Sequence, residues 1–211
     1  MTIILGIDPA TSCGWCIGVL ENSCLEIIDC GFIEINKSEY TGDMCLNMQS
    51  NVKQLFDKYN VDEMVIEDYV FSGRKCQGAH LNLYIRGCLH MLCRSYKKPY
   101  TIASISNWKS IIAGKSMPSL EMKKFYGKEL ANKIFIQEAL WIRYNIRFPN
   151  HCISQKTNKP IQLKYDMVDA VGITIAHVYS KYNVKNIQFK KTFPEDIPKM
   201  NKPKQYNYDI L

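Results

Sequence analysis

The chain is poor in the features that mark membrane and exported proteins. No stretch approaches the ~18 uninterrupted apolar residues of a membrane span, and the opening MTIILGIDPATS has neither a basic n-region nor a small-residue cleavage site. A soluble, cytoplasmic, non-secreted protein is expected, with no membrane partner. Internal repeats are absent. Histidine is scarce, four residues in all; His80, His90 and His151 are isolated, and His177 is expected to be structural. Cys13-Gly-Trp-Cys16 has no second CxxC to complete a zinc site. Nine cysteines, odd in number and irregular in spacing, exclude a disulfide scaffold and read as reduced thiols.

What is present is a 211-residue chain, 46% hydrophobic and 22% charged, long enough to close a core without staples. One domain over residues 1–183 is expected, followed by a tail, 184–211, in which Pro194, Pro198 and Pro203 stand among lysines. The net charge is +7 and the pI about 8.8. That balance favours a polyanion, nucleic acid first; on charge alone ordinary basicity explains it equally well.

Residues 2–8 (TIILGID) form an apolar run ending at an acid before Pro9, the pattern of a buried strand. Gly14–Leu20 and Leu25–Ile35 add two strands across a turn at 21–23, making an antiparallel meander. Met44, Met48, Val52, Leu55, Phe56 and Tyr59 predict a crossover helix over 42–59. A crossover lets the next strand, Val61–Val70, lie parallel to the first. A helix over Gly78–Arg94, a strand at Tyr100–Ile105 and helices at Asn107–Ala113 and Leu130–Tyr144 follow. The stretch 114–129 is expected to be a loop over the site, 145–162 irregular, and Leu163–Tyr182 the last helix.

Four acids have positional logic. Asp8 and Glu67 end neighbouring parallel strands, where α/β sheets place their ligands. Asp166 and Asp169, at i and i+3, share a face at the start of the last helix. Singly, each has a bland role as turn former, exposed strand end or helix-dipole partner. As a set they repel one another unless cations intervene. Hard oxygen ligands suit Mg²⁺, with Mn²⁺ substituting, and two such ions about 4 Å apart support in-line attack on a phosphodiester.

The segments GIDPATSCGW (6–15), VIEDYVF (65–71) and DMVDAVGITIAH (166–177) resemble, in order and spacing, the signature motifs of RuvC-type Holliday junction resolvases of the RNase H-like (retroviral integrase) superfamily. The likeness covers roughly residues 2–180. It implies an α/β RNase H-like fold: a five-stranded mixed sheet, an antiparallel three-strand meander plus parallel strands, flanked by helices. It also implies a homodimer that nicks four-way DNA junctions symmetrically with Mg²⁺ or Mn²⁺, two ions per site, bound by Asp8, Glu67, Asp166 and Asp169. A viral or phage member working at the host-cell site of DNA replication fits. Ala10 replaces the family's Gly, and the 114–129 stretch and the tail lie outside the pattern.

Tyr69 and Phe71 precede a basic loop with Arg74 and Lys75, a combination that grips phosphate and stacks on bases. Phe71 resembles the family's junction-stacking aromatic, one residue late; capping the core is the equal alternative. Lys109 and Lys133 resemble the family's two lysines near the active site, with Lys128 competing for the second place, and Lys115 and Lys128 are candidate phosphate contacts. The expected function is therefore metal-dependent junction resolution. The alternatives are cleavage of flaps, other branched DNA or RNA–DNA hybrids, or a catalytically silent DNA-binding module. A sugar-kinase or actin-like ATPase shares the GID opening but needs a second lobe and phosphate loop that this chain lacks.

Overall fold

The computed structural model describes residues 1–9, 12–35, 38, 40–69, 77–149, 151–153 and 160–193. Strands β1 (Thr2–Asp8), β2 (Ser12–Glu21) and β3 (Cys24–Glu34) form the expected meander. Helix α1 (Thr41–Tyr59) leads to β4 (Glu63–Glu67), α2 (Gln77–Ser95) to β5 (Tyr100–Ala103). Then come α3 (Ile105–Ala113), α4 (Leu120–Tyr126) and α5 (Lys128–Tyr144). A small hairpin of β6 (His151–Ile153) and β7 (Pro160–Gln162) precedes α6 (Tyr165–Lys181) and β8 (Asn186–Phe189).

The sheet runs β5-β4-β1-β2-β3-β8. β1 pairs antiparallel with β2, and β2 with β3, while β4, β5 and β8 join in parallel. The period-2 alternation of strands divides the core in two. Leu5, Ile7, Met64 and Ile66 pack towards α1 and α2, which supply Met48, Val52, Phe56, Ile85 and Leu89. Ile4 and Val65 face the other way, towards Trp108, Ile136 and the buried length of α6.

Four expectations need correction, the first being that 145–162 is not irregular throughout, because β6 and β7 pair as an antiparallel hairpin within it. The sheet has six strands, not five: β8, from the segment assigned to the tail, pairs with β3 along Cys24–Ile27, and the aromatic rings of Phe189 and Phe193 pack on Phe148. The 114–129 stretch is not a loop, because α4 and the start of α5 lie in it. Pro118 and Gly127 bracket that helix instead of breaking it, and the Ser119 hydroxyl caps it by accepting from the Met122 N–H at 3.1 Å. The strand expected over 61–70 is only Glu63–Glu67.

Candidate active site

Alternation decides where the acids point. Ile4 faces α6, so Gly6 and Asp8 on the same strand do too; Val65 carries Glu63 and Glu67 to that face. Ile7 pairs with Ile66 in the parallel ladder, so the next residues, Asp8 and Glu67, end side by side. α6 lies close against the strands at glycines. A Cβ on Gly6 would stand 2.0 Å from Thr174 Oγ1, and one on Gly14 would stand 1.8 Å from the Asp166 carbonyl oxygen. This close approach brings Asp166 and Asp169, in the first turns of α6, to the two strand ends.

The recess is electrostatically loaded. Burial, then repulsion from Glu67, Asp169 and Asp166, raises the Asp8 pKa well above the usual carboxylate range. Burial pushes Asp169 up to about 8, with Glu67 and Asp166 adding to the rise and Lys109 opposing it. Asp166 is also raised by burial, against the Ser12 hydroxyl, Lys164 and Lys133. Glu67 is oriented instead: the Trp108 indole N–H donates to its Oε1 at 3.0 Å. The buried Arg86 side chain donates through Nε to the Glu67 main-chain oxygen at 3.0 Å and through a terminal nitrogen to that of Asp68 at 3.3 Å. Its fixed positive charge also faces Asp8 and Glu67.

Buried carboxylates that resist ionisation are held in a strained electrostatic state that a divalent cation relieves. The donors are hard oxygens with no His or Cys among them, which fits Mg²⁺ or Mn²⁺ and not zinc. Among the described residues no group of three or more His, Cys, Asp or Glu side chains stands close enough together to hold a metal ion as placed. Asp8, Glu67 and Asp166 would hold the cations together with Asp169.

The family model described as crossover junction endodeoxyribonuclease RuvC matches residues 4–119, more than half of the chain. The chain belongs to the RuvC family. It is 27% identical over 128 residues to the crossover junction endodeoxyribonuclease RuvC of a Nitratiruptor species, covering 60% of this chain and 80% of that protein. To the Ehrlichia chaffeensis enzyme of the same description it is 23% identical over 179 residues, covering 84% and 97%. In structure it resembles Thermus thermophilus RuvC in complex with Holliday junction substrate, with a TM-score of 0.59 and 12% identity over 85% of this chain and 94% of that one.

RuvC proteins are crossover junction endodeoxyribonucleases and generally use divalent metal ions. Of the residues the family resemblance singles out here, the fold gathers Asp8, Glu67, Asp166 and Asp169 into one recess. Lys109, whose Nζ lies 5.1 Å from the Trp108 ring centroid, is within electrostatic reach of Asp169. Lys133 is exposed on α5 within reach of Asp166, and Lys128 is exposed at the first position of the same helix. Tyr69 sits just past β4 with the Arg86 guanidinium 5.4 Å from its ring centroid. Lys115 is half-buried between α3 and α4. Phe71, Arg74 and Lys75 lie outside the described residues.

Trp108, Arg86 and Lys164 join the site without a motif that announces them. Trp108 reads as core, and it is core; its N–H makes it more. Arg86 had a signal, a permanent charge directly after buried Ile85 on a helix whose apolar face meets the sheet. Lys164 flanks the acid motif and reaches Glu34 at 3.7 Å as well as the field of Asp166. His177 is structural as expected: Nε2 meets Glu63 Oε1 at 2.6 Å, away from the recess at the far end of β4.

Proposed function

We propose that this chain resolves four-way DNA junctions by paired symmetric nicks, with Asp8, Glu67, Asp166 and Asp169 as its metal ligands. The observation that carries the reading is the convergence of these four acids, with raised affinity for protons at three of them, at the carboxyl end of a family-typical sheet. Mg²⁺, replaceable by Mn²⁺ and two ions per site, is the cofactor such donors suit; when bound, it makes water a better nucleophile and offsets charge on the leaving oxygen. The chain's own residues do the positioning. Asp8 and Glu67 hold from the sheet side and Asp166 and Asp169 from the helix side, while Trp108 and Arg86 fix the Glu67 segment. Lys109 and Lys133 place positive charge where the non-bridging phosphate oxygens would enter, and Lys115, Lys128, Tyr69, Phe71, Arg74 and Lys75 are the proposed DNA contacts.

A four-way junction has two equivalent cut positions, so paired nicking calls for two active sites related by a two-fold axis. A homodimer is proposed, seated on the exposed apolar stripe of α2, where Leu83, Tyr84 and Met91 are 47%, 57% and 69% exposed.

The test is cleavage of a labelled four-way junction, a flap, a plain duplex and an RNA–DNA hybrid in Mg²⁺, Mn²⁺ or EDTA. Paired junction nicks, lost in EDTA, are expected. Asp8→Asn, Glu67→Gln, Asp166→Asn and Asp169→Asn should each reduce cleavage at least ~100-fold while junction binding persists, because removing negative charge does not weaken a polyanion complex. Preferential cutting of flaps or hybrids would keep the acids and reject resolution. A folded protein that binds the junction and cuts nothing is a silent module.

A further inference from the structure

Beside the acid recess, α4, α5 and the approach to α6 form an open cavity of about 550 Å³ lined by Tyr126, Leu130, Ile134, Gln137, Gln162, Leu163 and Tyr165. Its place is fixed by two neighbours. Tyr165 directly precedes Asp166, and Lys133, within electrostatic reach of Asp166, lies on α5 one turn from Leu130 and Gln137. The cavity thus opens next to the proposed phosphate-cleaving carboxylates. Its walls belong to residues beyond 119, past the span of the family match.

The lining has a definite chemistry. Two phenol rings and three aliphatic side chains present apolar surface, and two carboxamides can each donate and accept hydrogen bonds. The two helices that wall the cavity carry Lys123 and Lys124 in the last turn of α4 and Lys128 and Lys133 on α5, beside Glu121 and Glu129. Apolar walls suit a planar ring, amides suit the polar edge of that ring, and lysines on the same two helices suit the phosphates that flank it. A free apolar ligand would have no use for the lysines, and a backbone phosphate alone would have none for the rings.

We propose that this cavity receives one unstacked nucleobase of the DNA strand that lies in the active site, within a few nucleotides of the cut. Tyr126 and Tyr165 supply the stacking surface, and Gln137 and Gln162 read the base edge. Unpaired or easily unpaired bases are what a branched substrate offers near its crossover, so the cavity would couple branch recognition to placement of the scissile phosphate. This inference rests on the proposed action on branched DNA.

The experiment is an abasic scan. Full-length Asp8→Asn protein is titrated in EDTA with four-way junctions in which one nucleotide at a time, across the crossover region, lacks its base. Omission at one position should weaken binding about tenfold, the loss expected for one base–aromatic stack, and omission elsewhere much less. Leu130→Trp, which fills the cavity from a half-exposed site, should bind the intact junction as weakly as the parent binds that abasic junction, and should no longer respond to the missing base. Gln137→Ala should show an intermediate response. A flat scan, or a sensitive position whose effect persists in Leu130→Trp, overturns the cavity's role while leaving resolution intact. Failure to bind any intact branched DNA overturns the function reading itself, and the cavity's assignment with it.

Discussion

Asp169 illustrates how a single side chain couples folding to ligand binding. Its pKa of about 8 in the folded chain lies far above its ordinary 3.8. Below about pH 4 both folded and unfolded states are protonated and there is no penalty. Between pH 4 and 8 the unfolded chain releases this proton while the folded chain retains it, so stability falls as pH rises. Asp169→Asn removes that share. In EDTA the variant should therefore melt at the parent temperature near pH 4 and on the order of 5 °C higher at pH 8; equal melting at pH 8 would contradict the burial argument. Glu63 has the opposite sign. Burial raises its pKa, but hydrogen bonds from His177, Lys181 and Tyr182 prevail and hold it at about 2. Its stabilisation is fully present above its ordinary 4.5 and is lost as pH falls towards 2.

At the scale of elements, β4 and α6 match in length so that each end of one meets a partner on the other. Glu63 and Glu67 are separated by about 13 Å of strand, and Asp169 and His177 by about 12 Å of helix. The end held by His177 and Lys181 pins α6, and the other end carries the four clustered acids. Close approach makes that alignment possible, with Gly14 as the tightest point. Gly14→Ala would drive a methyl group into the Asp166 carbonyl at 1.8 Å, where backbone cannot yield as a flexible side chain does. A loss of about 3 kcal/mol or more in urea unfolding is expected, together with loss of junction cleavage. A stable, active variant would show that α6 has room to shift.

At the scale of the whole molecule, β8 closes an edge. It pairs with β3, and the segment after it is tied down by Lys190 to Glu26 at 3.8 Å and Lys191 to Asp29 at 2.5 Å. Ending the chain after Asn183 would expose the β3 edge and remove Phe189 and Phe193 from Phe148. A drop of about 3 kcal/mol in stability and visible aggregation are expected, measured by urea unfolding and light scattering; unchanged stability would make β8 dispensable. The opposite flank carries the proposed dimer surface. Leu83→Asp combined with Met91→Asp should yield a monomer in sedimentation that still folds but no longer makes paired nicks. A parent chain that sediments as a monomer at micromolar concentration would remove α2 from that role.

Local pattern is enough for the meander, the crossover helices and the strand positions of Asp8 and Glu67, because those features follow from short-range periodicity and from acids interrupting apolar runs. It also placed Asp166 and Asp169 on one helical face, since residues three apart on a helix are neighbours whatever the fold. It did not determine α4, whose flanking Pro118 and Gly127 signal a break as readily as a boundary. Nor did it assign β8, a short strand that is defined only by the β3 edge it meets. The partners of the acids were decided by tertiary structure alone. Trp108 is 41 residues from Glu67 in the chain, and His177 is 114 residues from Glu63. Such pairs leave no local pattern, because they are made by one helix crossing a sheet and not by the spacing of residues along the chain.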